Sequence, residues 1–207
     1  MLGELLTNTY FCIGENRECV VIDPGLDGEG IYEKLCQKNL TPSYILLTHG
    51  HFDHILGVNA LAEKTGAKVA IHFADEELLS DPFKNGALYF YGDRLEKFSP
   101  VKADLFLHDG DEISCGALSF RVIHTPGHTK GSVLFASENA VFCGDTLFAY
   151  GYGRTDLYGG SSEQLGQSLG KILAIPGDPK LYPGHGNTSH LERERDSIRR
   201  YRILLGS

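Results

Sequence analysis

The chain has 207 residues, 42% of them hydrophobic and 22% charged, with a formal net charge of −8; that length buries one sizeable core, and a single domain spanning 1–207 is expected. The acidic balance excludes a protein that gains affinity by neutralising phosphates with clustered Lys and Arg, so no nucleic-acid partner is expected. Five widely spaced cysteines with no CxxC exclude a disulfide framework and a thiolate zinc knuckle, and the absence of a basic-then-apolar leader or an uncharged stretch of spanning length sets the expectation at a cytoplasmic chain with no membrane partner.

In chain order, apolar runs of strand length closed by turn residues stand at 10–13, 19–25, 44–49, 68–72, 105–110, 118–127, 132–137, 140–148 and 180–185. Helical spacing falls at 28–39, 54–66 and 161–174, the last with Ser162 as its cap, and in a charged tail at 190–205 with Ile198, Leu204 and Leu205 along one side. Strands arriving in pairs without a helix between them, at 10–22 and 118–147, argue against a doubly wound parallel sheet. Two sheets packed face to face with helices outside fit the mixed α/β pattern better. The aromatic-rich stretch 75–100 reads as a long excursion over one end of the sheets, of a kind that can cover a site.

The strand at 44–47 runs into "THGHFDH". His49, His51 and Asp53 stand at every second position, where extended backbone sends side chains to the same side. His54 breaks the alternation where a helix begins, so it can face a second centre beside the first. Imidazole nitrogens and carboxylate oxygens suit zinc, iron or manganese, and a catalytic centre takes about three protein ligands and keeps one position open. Further candidates close later strands: His128 in "HTPGHTKGS", Asp145 in "FCGDTLF" and His185 in "YPGHGN", each beside Gly or Pro.

These motifs resemble the metallo-β-lactamase superfamily, whose signature is HxHxDH followed by distant His, Asp and His, over nearly the whole chain. "THGHFDH", "HTPGHT", "CGDTLF", "GRTDL" and "YPGHG" are most similar, in order and spacing, to its glyoxalase II-like hydrolases. The resemblance implies an αββα sandwich of two mixed β-sheets and two divalent cations, zinc in the first place, with iron or manganese as alternatives. His49, His51 and His128 would hold one cation, Asp53, His54 and His185 the other, and Asp145 would bridge them, with Asp53 and Asp145 as the catalytic carboxylates. Two cations about 3.5 to 4 Å apart acidify a shared water and polarise a carbonyl, which makes hydrolysis the natural reaction. The substrate implied is a small-molecule thioester, S-2-hydroxyacylglutathione or a relative, contacted by Arg154 and Tyr152. Arg154 has a second reading as the partner of Asp156 in "GRTD", and the helical domain that grips the peptide in that branch has no counterpart in these residues. Asp23 in "VVIDPG" reads equally as a turn former and, from the resemblance, as a hydrogen-bond partner of a ligand histidine.

His72, His108 and His190 have no ligand partners by spacing and read as packed or solvated, and His124 as structural. The cysteines read as ordinary packing residues, with Cys143 expected close to the cations. "GGSSEQ" lacks the GxSxG of a nucleophile elbow, which removes the serine route. Two other functions compete: a mononuclear-iron persulfide dioxygenase, whose "GRTD" loop is similar, and a non-hydrolytic metal-binding or electron-transfer module.

Overall fold

The computed structural model describes residues 5–92 and 98–206. The chain runs β1 (Tyr10–Ile13), β2 (Glu18–Ile22), α1 (Gly28–Gln37), β3 (Thr41–Leu46), α2 (Phe52–Ile55), α3 (Val58–Thr65) and β4 (Lys68–His72), then a 3-10 turn (Phe73–Leu79) and α4 (Ala87–Tyr91). It continues through β5 (Leu105–Leu107), β6 (Glu112–Cys115), β7 (Leu118–His124), β8 (Val133–Ser137), β9 (Ala140–Gly144), β10 (Leu147–Phe148), β11 (Gly151–Tyr152), α5 (Ser162–Leu173), β12 (Lys180–Pro183), β13 (Ser189–His190) and α6 (Leu191–Leu204).

Among the described residues, β1-β2-β3-β4-β5 form one sheet and β13-β12-β9-β8-β7-β6 a second, with β10 and β11 as a small ribbon. Both sheets are mixed: β2 to β5 pair in parallel while β1 is antiparallel to β2, and β9 and β12 form the parallel pair of an otherwise antiparallel sheet. Side-chain alternation divides the core into three clusters. In β2, Val20 and Ile22 point between the sheets, against Phe120, Val122 and Phe135, whereas Cys19 and Val21 point outward beneath Ile31, Leu35 and Leu61 of α1 and α3. The second sheet's outer face, Leu134, Val141 and Leu181, is covered by Leu169, Ile172 and Ile198 of α5 and α6. The result is the four-layer αββα sandwich.

Three local readings need correction. The helix expected over 54–66 is broken at Gly57, whose N–H donates to the carbonyl of Pro24 at 2.8 Å; a Cβ there would sit 2.7 Å from that oxygen. The cap of α5 is Ser161, not Ser162: its hydroxyl accepts from the Gln164 N–H at 3.3 Å. Strand β6 went unrecognised because "EISC" carries one apolar residue per pleat. Of the excursion at 75–100, residues 93–97 lie outside the described residues; the rest forms the 3-10 turn, α4 and connecting loops. No helix among the described residues is long and apolar enough to cross a membrane.

Candidate metal centre

The loops that follow β3, β7, β9 and β12 meet at one end of the two sheets. They bring His49, His51, Asp53, His54, His128, Asp145 and His185 into one cluster. Three overlapping groups have ligand atoms within 4.8 Å of one another and could hold a cation: His49, His51 and His128; Asp53, His54 and His185; and His49, His54 and Asp145, which joins the first two. Asp145 reaches both sides, with Oδ1 3.4 Å from His54 Nε2 and Oδ2 3.4 Å from His185 Nε2 and 3.7 Å from His128 Nε2. Asp53 Oδ2 lies 3.2 Å from His185 Nε2 and 3.6 Å from His54 Nε2.

Four of the five imidazoles are oriented from behind through Nδ1–H; His51 instead turns its Nδ1 into the cluster, 2.9 Å from His128 Nε2. His54 donates to Asp23 Oδ2 at 3.0 Å, His128 to the Arg154 carbonyl at 2.8 Å and His185 to the Leu5 carbonyl at 3.0 Å. His49 donates to the Thr48 hydroxyl at 3.1 Å, which in turn donates to Asp23 at 2.6 Å. These bonds fix the tautomer of the four and leave their Nε2 lone pairs facing the cluster, the arrangement of metal-bound histidines. Asp23 is held in place by the Thr48 N–H at 2.8 Å and bonds His54, and its left-handed backbone (φ 49°) before Pro24 also makes the turn, so the geometry accommodates both readings.

Whether the cluster fits cations is answered by its unpaired atoms. Among the described residues, four buried side-chain atoms have no hydrogen-bond partner, and three of them are His49 Nε2, His51 Nε2 and Asp145 Oδ1. Buried polar atoms are almost always paired, so three exceptions in one site call for a ligand. Electrostatics agree. Burial, with neighbouring imidazoles, holds His49 well below its usual range and His51 at about 3, and burial lowers His128 as well, so this half presents neutral nitrogens. The other half is acidic. Burial opposes charge there too, yet Asp53, Asp145 and Asp23 hold His54 well above its usual value, and Asp145 with Asp53 takes His185 to about 10. Burial would likewise raise the two carboxylates, but the histidines outweigh it, leaving Asp53 at about 2 and Asp145 well below the usual range. That half is built to hold positive charge, as protons or as a cation.

A cavity of about 400 Å³ opens onto the cluster, lined by Phe52, Tyr89, Phe90, Leu157 and Arg154. Asn85, Gly86, Tyr89 and Phe90 of the 75–100 excursion thus line the cleft. Arg154 also grips Asp156 through two bonds, Nε at 2.7 Å and Nη2 at 2.8 Å, as its pairing reading expects. Tyr152, expected to touch substrate, is not among the cleft's walls. The β10–β11 ribbon turns its ring onto Tyr201 of α6, with centroids 4.8 Å apart. Cys143 packs in the apolar cluster under α5 and α6, as its packing reading expects, with Gly144, at φ 48°, turning the chain between it and Asp145. A larger groove of about 560 Å³, lined by Arg121, Ile123 and Lys171, lies away from the cluster.

Of the other histidines, His108 and His190 are exposed, while His72 and His124 serve packing. His72 and His124 stack at 4.0 Å, and His124 bonds the Lys130 carbonyl at 2.8 Å, which braces the loop carrying His128. Sequence reasoning missed three contributors: Asp75, Thr7 and Leu5. Each acts through a contact made far along the chain, for which no local signal exists.

Comparison with known proteins places this geometry. The family model described as the metallo-beta-lactamase superfamily matches residues 2–185. The probable metallo-hydrolase YqgX of Bacillus subtilis is 35% identical, over 94% of this chain and 92% of its own. The hydroxyacylglutathione hydrolase of Aeromonas hydrophila is 37% identical over 87% of this chain, which spans 62% of that relative's length. Among solved structures, the BLEG-1 B3 metallo-beta-lactamase superposes with a TM-score of 0.87 at 37% identity, covering 94% of each chain. TTHA1623 in a di-iron-bound form gives 0.79 at 34%, also covering 94% of each.

Proposed function

Because the chain belongs to the metallo-beta-lactamase superfamily, we propose that it is a hydrolase working with two divalent cations, zinc, iron or manganese, on a thioester: S-2-hydroxyacylglutathione or a related small thioester. The observation that carries this reading is a complete set of seven donors in two groups joined by Asp145, with three buried atoms left unpaired. His49, His51 and His128 would hold one cation, Asp53, His54 and His185 the other. Two cations in such a donor set acidify a water and polarise a carbonyl.

The chain's own residues supply the rest. Phe52, Tyr89, Phe90 and Leu157 form an apolar lining that receives the acyl group, and Arg154 lines the same cleft. Asp53 is aligned by the Thr7 hydroxyl, which donates to its Oδ2 at 2.8 Å. A thiol has a pKa near 8.5, so it departs as thiolate with little help from an acid, which suits a site whose charged groups are committed to holding cations. The hydroxyacylglutathione hydrolase relative supports thioester as the bond class. Likeness to a B3 metallo-beta-lactamase supports a β-lactam as the second reading.

The test is turnover by the metal-reconstituted chain of S-2-hydroxyacylglutathione, a neutral small-molecule thioester, a β-lactam and a persulfide, the last followed by oxygen uptake. Thioester kcat/KM is expected to exceed that for the lactam by at least about a hundredfold, an advantage of ~2.7 kcal/mol. Faster lactam opening, or oxygen consumption with persulfide, would overturn the reading.

A further inference from the structure

The two halves of the centre are braced from different parts of the chain, by groups that are not themselves ligands. Asp75, fully buried in the 3-10 turn after β4, accepts the Gly50 N–H at 3.0 Å and the Thr129 hydroxyl at 2.7 Å on one carboxylate oxygen, and the Gly131 N–H at 2.6 Å on the other. Gly50 stands between His49 and His51, and Thr129 follows His128. One carboxylate therefore ties together both loops that present the first three histidines. The fit is close: a Cβ on Gly131 would lie 2.7 Å from Asp75.

The second half is braced by residues 5–8. The Thr7 hydroxyl donates to Asp53, the Leu5 carbonyl accepts from His185, and Thr7 forms an isolated bridge with His185. Asn8 fixes the strap to the loop that bears His185. Its N–H donates to the Gly184 carbonyl at 2.7 Å, and its side-chain amide to those of Pro183 at 3.0 Å and Gly186 at 2.9 Å. None of these bonds reaches the 49–51 or 128–131 loops, and none of Asp75's reaches Asp53 or His185. His54, which belongs to the second half, is oriented by Asp23, apart from both devices.

We propose that Asp75 and the segment 5–8 are separate positioning devices, one for each cation, so that the affinity of either site can be lowered without the other. This rests on the two-cation reading above. Groups that orient ligands from behind typically change metal affinity about 10- to 100-fold when removed. Asp75→Asn deprives at least one of three donors of its acceptor, and Thr7→Val removes the donor to Asp53 at nearly constant volume.

The experiment is competition of the full-length chain with a chromophoric chelator for zinc, giving stoichiometry and two dissociation constants for wild type, D75N, T7V and the double variant. Thermal melting shows that each is folded; Thr129→Val, which removes one of Asp75's donors, replaces D75N if that variant fails to fold. Each single variant is expected to raise one constant at least tenfold and leave the other within about twofold, and the double variant to raise both. A double variant that keeps one wild-type constant would place both devices on the same cation and overturn the proposal, as would constants that do not move. Fewer than two equivalents bound by the wild type would instead sink the two-cation reading itself.

Discussion

Replacing Asp145 by alanine is expected to cut thioester turnover at least about a thousandfold, a loss of ~4 kcal/mol of transition-state stabilisation, while the chain stays folded. Asp145 is the carboxylate that reaches both halves of the cluster: His128 in the first, His54 and His185 in the second. Its removal breaks the join between the two donor groups and takes away negative charge that holds His54 and His185 protonated or cation-bound. The fold survives because neither histidine need become an unpaired buried cation: once the carboxylate is gone, each can release its proton. The three apolar clusters of the sandwich core contain neither Asp145 nor any other of the seven donors. His54→Ala should behave alike, since His54 shares Asp145 with the first half and Asp53 and His185 with the second. Steady-state kinetics and a thermal melt of each variant check this; unchanged turnover in either contradicts the two-cation reading.

Gly184→Ala is expected to be nearly as damaging, although glycine carries no chemistry. A Cβ at that position would lie 2.1 Å from Asp145 Oδ1 and 2.6 Å from His54 Cε1. Neither neighbour can step aside, because His54 is pinned to Asp23. The backbone cannot retreat either: Gly184 N–H donates to the Gly144 carbonyl at 2.8 Å, and its own carbonyl accepts from Asn8. The methyl must therefore displace ligands. Turnover should fall at least about a hundredfold, and overpacking should cost about 1–3 kcal/mol of stability. Gly186→Ala is the control. That glycine has φ +75° with nothing within 4 Å of a Cβ, so alanine there strains the backbone by about 1–2 kcal/mol without touching the cluster. Metal content and kcat/KM of the two variants should separate cleanly; equal losses would mean that the cradle is not what Gly184 provides.

How much of this could be read beforehand follows from which contacts are local. Alternation along "THGHFDH" is a property of extended backbone, and the same alternation in β2 sorts Cys19 and Val21 from Val20 and Ile22 into different layers. Both are visible in sequence. The convergence of His128, Asp145 and His185 with them came from family resemblance, because spacing alone does not say which strand ends meet. Cys143 and Asp145, two apart, share a face only if the strand stays straight, and the left-handed Gly144 undoes that. Tyr152 was misplaced for a similar reason: a two-residue ribbon sets its direction, and nothing near it announces Tyr201 as a partner. Asp75 and Thr7 lie furthest from prediction, since their bonds span 25 to 56 residues and 46 residues. "HFADEELL" and "LLTNTY" look like an ordinary helical turn and an ordinary polar lead-in.

The central claim is that these seven side chains hold two cations side by side, and an anomalous difference map from crystals grown with zinc tests it most directly. The account predicts two peaks per chain, about 3.5 to 4 Å apart, one among His49, His51 and His128 and the other among Asp53, His54 and His185, with Asp145 touching both. A single peak, or density only at surface histidines such as His108 or His190, would contradict it.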